Sequence, residues 1–235
     1  MRIRVGLENN LQDGRSLAWA LDYPGCFAYG NDGSSAVISM GKAVPAFYAW
    51  LQIHCADPWL PDADYDIRLV ETWETFNTND DFERVEDGPY EVNAWFWNDW
   101  KPLTTQDVDQ ALHLLEWSRA DLLAIISGMS DAQLDLKKEG QRWPIRGILK
   151  HIGSAEWWYL HRLGLAPCER AGVPEDYRER LDTIRAALKE VLPSLVGVNK
   201  VVGIDGEFWS PRKLVRRAIW HEIDHIRHIL ELMGG

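Results

Sequence analysis

The chain has 235 residues, of which 46% are hydrophobic, so it is long enough for one large domain or two small ones with a real core. Its formal net charge is −11. Because a surface of that sign repels phosphate backbones and anionic lipid, we expect neither nucleic acid nor a membrane surface as a partner.

No apolar run approaches the roughly 20 residues that cross a bilayer, and residues 1–8 alternate instead of forming the apolar stretch of a secretion signal. The three cysteines, Cys26, Cys55 and Cys168, lack the spacing of metal ligands. They predict reduced thiols in a cytoplasmic protein. Thirteen tryptophans are many for this length, and we expect several in the core or in the wall of a cleft.

Residues 1–76 are predicted to form a small α/β domain. Alternation at period two predicts strands, and apolar residues three or four positions apart predict one helix. The predicted strands cover Arg2–Leu7, Ser16–Leu21, Cys26–Tyr29 and Ile67–Phe76, and the helix covers Ser34–Gln52. Residues 77–103 are acidic, aromatic and irregular, and we predict a linker or a loop laid over the surface.

Residues 104–235 are predicted to form four helices. Thr104 or Thr105 is the N-cap of the first, Gly164 ends the second, and Ser210 caps the fourth with Pro211 in the first helical position. The helices run from about Thr105 to Ser127, from just after Pro144 to Leu163, from about Pro174 to Leu192 and from Ser210 to Met233.

The fourth predicted helix carries two histidines one turn apart. On a helical wheel at about 100° per residue, His221 and His225 lie inside an apolar arc, whereas Arg216 lies on the opposite, charged face. Two imidazoles at this spacing can bind one metal ion, or they can be hydrogen-bonded core residues. Packing both without a partner or an ion would leave ring nitrogens unsatisfied.

Three further side chains are candidates for the same site. His151 in the second predicted helix faces the core and is a possible third ligand. Glu222 lies in the middle of the apolar arc, where a carboxylate forms a structural hydrogen bond, orients a ligand histidine or acts as a general base. Glu156, in the apolar half of the second helix, is another candidate for orienting a ligand histidine.

Three neutral imidazoles leave at least one coordination position open, which is the pattern of a catalytic metal site and not of a closed structural one. A divalent ion such as zinc or nickel at this position could activate water or bind a thiolate. Helical phase makes Trp158 and Tyr159 the expected walls of a cleft for a small substrate.

Three stretches, residues 129–136, 141–160 and 208–229, resemble the DinB-like (YfiT-like) metal-binding four-helix bundles. The resemblance covers about residues 100–233 and depends on a histidine in the second helix together with His-x-x-x-His in the fourth, within a shared Trp and Arg pattern. It implies a DinB-like four-helix bundle over residues 104–235 with zinc, nickel or another divalent ion on His151, His221 and His225. Several members are S-transferases that use a low-molecular-weight thiol, and others have no established activity.

Residues 1–55 resemble the HicB-like antitoxin domain. The resemblance depends on Leu7-Glu8, Asp13-Gly14-Arg15, Ala18-Trp19 and Leu21–Gly30. It implies an α+β protein in which a HicB-like domain, residues 1–76, precedes the bundle. HicB antitoxins usually carry a DNA-binding segment as well. No part of this sequence resembles that segment, so we interpret the domain as a scaffold for packing or partner binding, and a homodimer is compatible with it.

Three functions follow from these observations. We favour a metal-dependent thiol S-transferase or hydrolase acting on a small molecule, and a non-enzymatic metal-binding or partner-binding protein is the alternative. A zinc protease is a weaker alternative, because His221–His225 matches H-E-x-x-H with Glu222 as general base. The extended protease motif requires Gly and His where this chain has His228 and Glu231, and a helix bundle lacks the sheet edge that aligns a peptide.

Overall fold

The computed structural model describes residues 1–234. The chain divides into two compact units, which we call the sheet unit (Met1–Lys101 with Val201–Lys213) and the helical unit (Pro102–Lys200 with Leu214–Gly235). Helices and strands are both present, as predicted for an α+β protein. Within the described residues, no helix combines the length and the apolar character needed to cross a membrane.

The sheet unit begins with the five elements predicted from the sequence, which are β1 (Arg2–Asn9), β2 (Ser16–Ala20), β3 (Phe27–Gly30), α1 (Gly33–His54) and β4 (Asp66–Glu74). The four strands form one sheet in the order β3-β2-β1-β4. β1 pairs antiparallel with β2 and parallel with β4, and α1 provides the crossover that a parallel pair requires. Asp32 caps α1 by accepting a hydrogen bond from the backbone N–H of Ser35 at 2.7 Å.

Residues 77–103 contain regular structure where we predicted a linker or a surface loop. Strands β5 (Phe76–Thr78), β6 (Arg84–Val85) and β7 (Tyr90–Val92) form a second sheet, and a 3-10 helix follows at Trp97–Trp100. A hairpin of β8 (Val202–Ile204) and β9 (Glu207–Trp209) also belongs to the sheet unit.

A buried carboxylate explains why this segment joins the sheet. Glu8 on β1 is fully buried and accepts hydrogen bonds from Trp19 Nε1 at 3.0 Å, Thr75 Oγ1 at 3.2 Å and Ala94 N at 2.7 Å. A buried carboxylate must be satisfied by donors, and one of these donors, Ala94, lies within residues 77–103. Its hydrogen bond to Glu8 ties this segment to β1 within the sheet unit.

The helical unit contains α2 (Thr105–Ile126), α3 (Asp131–Asp135), α4 (Ile145–Arg162), α5 (Tyr177–Val191) and most of α6 (Pro211–Gly234). The four long helices confirm the predicted ones. Thr104 and Asp107 form a capping box at the start of α2, and Gly164, with a φ of 69°, follows the end of α4. The short helix α3 was not predicted, although Ser130-x-x-Gln133 is the sequence signal of its capping box.

One hydrophobic core joins all four long helices. Its residues are fully or almost fully buried and come from α2 to α6, so each helix buries one apolar face against the others. The cluster consists of Leu122, Ile126, Leu134, Ile145, Ile148, Leu149, Ile152, Tyr177, Leu181, Ile229 and Leu232.

Two adjacent leucines on α2 provide a test of this core. Leu122 is fully buried, whereas Leu123 is 40% exposed. Because Leu122→Ala removes buried methyl groups and leaves a cavity, it should lower the free energy of unfolding by about 2–5 kcal/mol. Leu123→Ala should change it by no more than about 0.5 kcal/mol. Urea unfolding of both variants measures the difference, and equal losses would show that the core is misplaced.

Candidate metal centre

Three histidines come together in the helical unit. His151 lies on α4, and His221 and His225 lie one turn apart on α6. Nε2 of His221 is 3.1 Å from Nε2 of His151 and 3.1 Å from Nε2 of His225. One ligand atom from each residue lies within 4.8 Å of the others. The structure thus brings together the three residues selected from the sequence, and we call them the histidine triad.

Burial keeps the triad neutral. His221 is 7% exposed, and burial is the largest cause that lowers the pKa of each of the three imidazoles. The pKa of His225 is lowered to about 3, first by burial and then by His151 and His228. A neutral imidazole offers the lone pair that a metal ion needs, so the triad has the protonation state of a ligand set at neutral pH.

The three Nε2 atoms are better arranged to coordinate one cation than to form hydrogen bonds with one another. A ring nitrogen of a neutral imidazole is either a donor or an acceptor, so Nε2 of His221 cannot form two good hydrogen bonds with His151 and His225 at once. Two ligands at about 2.0–2.1 Å from a tetrahedral zinc ion are about 3.3 Å apart, close to the 3.1 Å observed. In most metal sites the second ring nitrogen of a ligand histidine donates to an acceptor, whereas Nδ1 of His225 is buried and has no hydrogen-bond partner among residues 1–234.

Aromatic rings surround the triad. The ring centroid of Trp143 lies 4.7 Å from that of His151, and Tyr159 meets His221 edge-on at 6.0 Å. Of the two predicted cleft residues, Tyr159 therefore contacts the triad directly, and Trp158 packs against Tyr159 at 5.6 Å. Trp143 could not be predicted from helical phase, because it lies before the start of α4.

A buried ion-pair network lies beside the triad. The Glu222 carboxylate accepts hydrogen bonds from Arg119 Nε at 2.7 Å, Arg185 Nη2 at 2.9 Å and Ser118 Oγ. Glu156 accepts from Arg185 Nε at 2.6 Å and from Arg119 Nη2 at 3.4 Å. The two carboxylates and two guanidinium groups are each less than 8% exposed, and their charges cancel.

These contacts favour the structural role among the three roles considered for Glu222. Burial alone would raise the pKa of its carboxyl, but the charges of Arg185 and Arg119 outweigh burial and lower it. A carboxylate held ionised by two arginines and a hydroxyl is a poor proton acceptor. Glu156, which we predicted could orient a ligand histidine, instead binds the same two arginines.

Arg119 and Arg185 were not predicted as partners of Glu222, although the sequence pattern around each arginine indicates that it is buried. Arg119 follows Leu115 by four positions on α2, and Arg185 follows Leu181 by four positions on α5, so each interrupts an apolar face. Arg216 was predicted on the charged face of the last helix, whereas it is 5% exposed. A helical wheel gives the direction of a side chain but not the neighbours that cover it.

Comparison with known proteins supports the resemblance found in the helical part. Residues 114–229 match the family model of the DinB superfamily. The matched segment runs from α2 to α6 and includes all three histidines, so this part of the protein is similar to members of that superfamily. No curated protein and no solved structure matched the chain.

The ion-pair network predicts that a conservative substitution of Glu222 strongly lowers the free energy of unfolding. Glu222→Gln removes one charge and leaves two buried guanidinium groups facing a single carboxylate. The free energy of unfolding should fall by about 3–5 kcal/mol, because an uncompensated buried charge is costly. Guanidinium chloride unfolding, followed by far-UV circular dichroism, measures the loss.

Glu116→Gln on α2 is the matched control. Glu116 pairs with Lys189 at 3.3 Å, and its side chain is 65% exposed, so its removal should cost at most about 1 kcal/mol. If Glu222→Gln unfolds at the same midpoint as Glu116→Gln, the network does not stabilise the helical unit.

Proposed function

We propose that the protein holds one divalent metal ion at His151, His221 and His225 and uses it to transfer a low-molecular-weight thiol to a small electrophile. Zinc and nickel are the ions that suit three imidazoles. The convergence of three buried, neutral Nε2 atoms carries this proposal, and the match to the DinB superfamily supports it. The protein would act in the cytoplasm.

The donor set determines the chemistry that is available. An ion with three imidazole ligands retains a position for substrate and lowers the pKa of a coordinated thiol or water. The protein contributes rigid ligands, since His221 and His225 share one helix and α6 is held by the ion-pair network of Glu222. Trp143 and Tyr159 provide apolar walls that limit the access of water to the reacting group.

Hydrolysis of a small molecule uses the same metal position and is the second candidate reaction. A zinc protease receives less support. Its mechanism requires the glutamate of H-E-x-x-H to face the metal-bound water, whereas the Glu222 carboxylate accepts hydrogen bonds from Ser118, Arg119 and Arg185.

For residues 1–76 we propose a HicB-like scaffold domain. The strand order β3-β2-β1-β4 with a single helical crossover is compatible with a small domain of that kind. Its role would be packing or partner binding, including formation of a homodimer, and we propose no contact with nucleic acid or membrane, because the net charge is −11.

Substitution of the triad tests the metal and the reaction together. Purified protein should contain about one divalent ion per chain, and His221→Ala or His225→Ala should lose most of it, because each removes one of three ligands. Inductively coupled plasma mass spectrometry gives the metal content. The same samples should conjugate a thiol from a low-molecular-weight panel to a chlorodinitrobenzene electrophile only when metal is bound.

His161→Ala is the control, because His161 is an exposed histidine on the same helix as His151. It should retain both metal and activity. Full metal occupancy in the His151→Ala, His221→Ala, His225→Ala triple variant would refute the site. Full occupancy of the wild-type protein with no thiol conjugation would favour the non-enzymatic metal-binding alternative.

A further inference from the structure

The segment between α3 and α4, residues 136–144, runs beside the histidine triad and contains neither helix nor strand. We call it the connecting segment. Both of its ends are anchored in the helical unit. Leu134, just before it, is buried in the hydrophobic core, and Arg146, just after it, binds Asp131 and Asp135 of α3 at 2.6 Å each. Between these anchors the segment is mostly exposed.

The connecting segment contacts the ligand on α4 through Trp143. The centroid of the indole lies 4.7 Å from that of the His151 ring, at an interplanar angle of 34°, so the indole shields part of this imidazole. Gly147 on α4 allows the close approach of Trp143. A Cβ at that position would lie 2.8 Å from Cβ of Trp143, so a larger residue would displace the tryptophan.

A hydrogen bond joins the same segment to α6, the helix with the other two ligands. Oε1 of Gln141 lies 2.9 Å from Nε2 of His228. A carboxamide oxygen only accepts, so the imidazole donates. His228 follows His225 by three positions, and the centroids of their rings are 6.1 Å apart. The connecting segment thus spans from one ligand-bearing helix to the other.

Solvent exposure indicates the side from which the triad is reached. His151 and His225 are half-buried, whereas His221 is 7% exposed. The accessible side therefore lies toward His151 and His225. These are the two ligands that neighbour Trp143 and His228, so the connecting segment lies where an ion or a small molecule would enter.

We propose that the connecting segment is a lid over the triad, and that the hydrogen bond between Gln141 and His228 is its latch. This inference rests on the proposed metal site and adds how that site is reached. A closed lid limits the access of water to a reacting group, and an open lid admits and releases ligands.

The latch has the strength that a lid requires. One hydrogen bond between neutral groups changes the ratio of closed to open states by about 2- to 10-fold, so the lid is held closed and still opens readily. Gly140 directly precedes the latch and has a φ of 76°, which glycine adopts without steric cost. The backbone can therefore turn at this position when the lid moves.

Removal of the latch tests the lid. The uptake of cobalt(II) by metal-free protein and its release to excess EDTA would be followed in the visible spectrum. In Gln141→Ala both rates should rise by about 2- to 10-fold, because the open state is more populated, and the equilibrium affinity for cobalt should stay unchanged. If Gln141 only positioned the ligands, release alone would be faster and the affinity would fall. That result, or unchanged rates, would overturn the inference.

Gln106→Ala is the matched control, because Gln106 is an exposed glutamine in the first turn of α2. It should take up and release cobalt at the rates of the wild type. An acceleration as large as that of Gln141→Ala would show that the effect does not depend on the latch, and it would refute the lid.

A second variant displaces the lid without removing the latch. In Gly147→Ala the added methyl group should move Trp143 away from His151 and accelerate both rates. Alanine is the better helix former, so far-UV circular dichroism should show that α4 is retained. Gly128→Ala is its control, because a Cβ at Gly128 meets no atom within 4 Å. Equal rates in the two variants would contradict the proposed role of Trp143.

If the protein binds no cobalt, the proposed metal function is wrong, and the lid is tested on metal-free protein. Diethyl pyrocarbonate modifies accessible neutral imidazoles, and peptide mass spectrometry gives the rate for each histidine. His151 should react faster in Gln141→Ala than in the wild type, relative to the exposed His161 in the same sample. An unchanged ratio of the two rates would refute the lid.

Discussion

The position of helix α6 depends on the carboxylate of Glu222. This group is 1% exposed and is satisfied by Arg119 on α2 and Arg185 on α5. A buried charge without its partners costs several kcal/mol, so rotation of α6 about its axis is strongly disfavoured. His221 is the preceding residue and His225 follows three positions later, and fixing Glu222 therefore fixes the direction in which both imidazoles point.

Burial makes the loss of a charge from the ion-pair network costly in free energy. Burial also sets the protonation state of the triad. Removal from water lowers the pKa of all three imidazoles, which leaves neutral nitrogens facing each other at 3.1 Å. Neutral ligands in a desolvated site leave the charge of a bound ion uncompensated by the protein.

The sequence alone predicted much of this arrangement, and the reasons are physical. Helical periodicity determines which side chains share a face. It therefore predicted that the three histidines of the triad face the core and that Glu222 is buried. Periodicity says nothing of contacts between distant segments, so Arg119 and Arg185 were not recognised as partners of Glu222. The short strands β5 to β9 and the helix α3 were missed because two to five residues carry too little pattern. Residues 77–103 were taken for a linker because the donor in this segment that binds Glu8 is the backbone N–H of Ala94, which no sequence motif reveals.

The measurement that tests the account most directly is X-ray absorption at the edge of the metal that copurifies with the protein. The spectrum should fit three imidazole nitrogens at about 2.0–2.1 Å, with the multiple scattering characteristic of histidine rings, and one further ligand. A spectrum that lacks imidazole scattering, or that fits oxygen ligands alone, would contradict a metal centre at His151, His221 and His225.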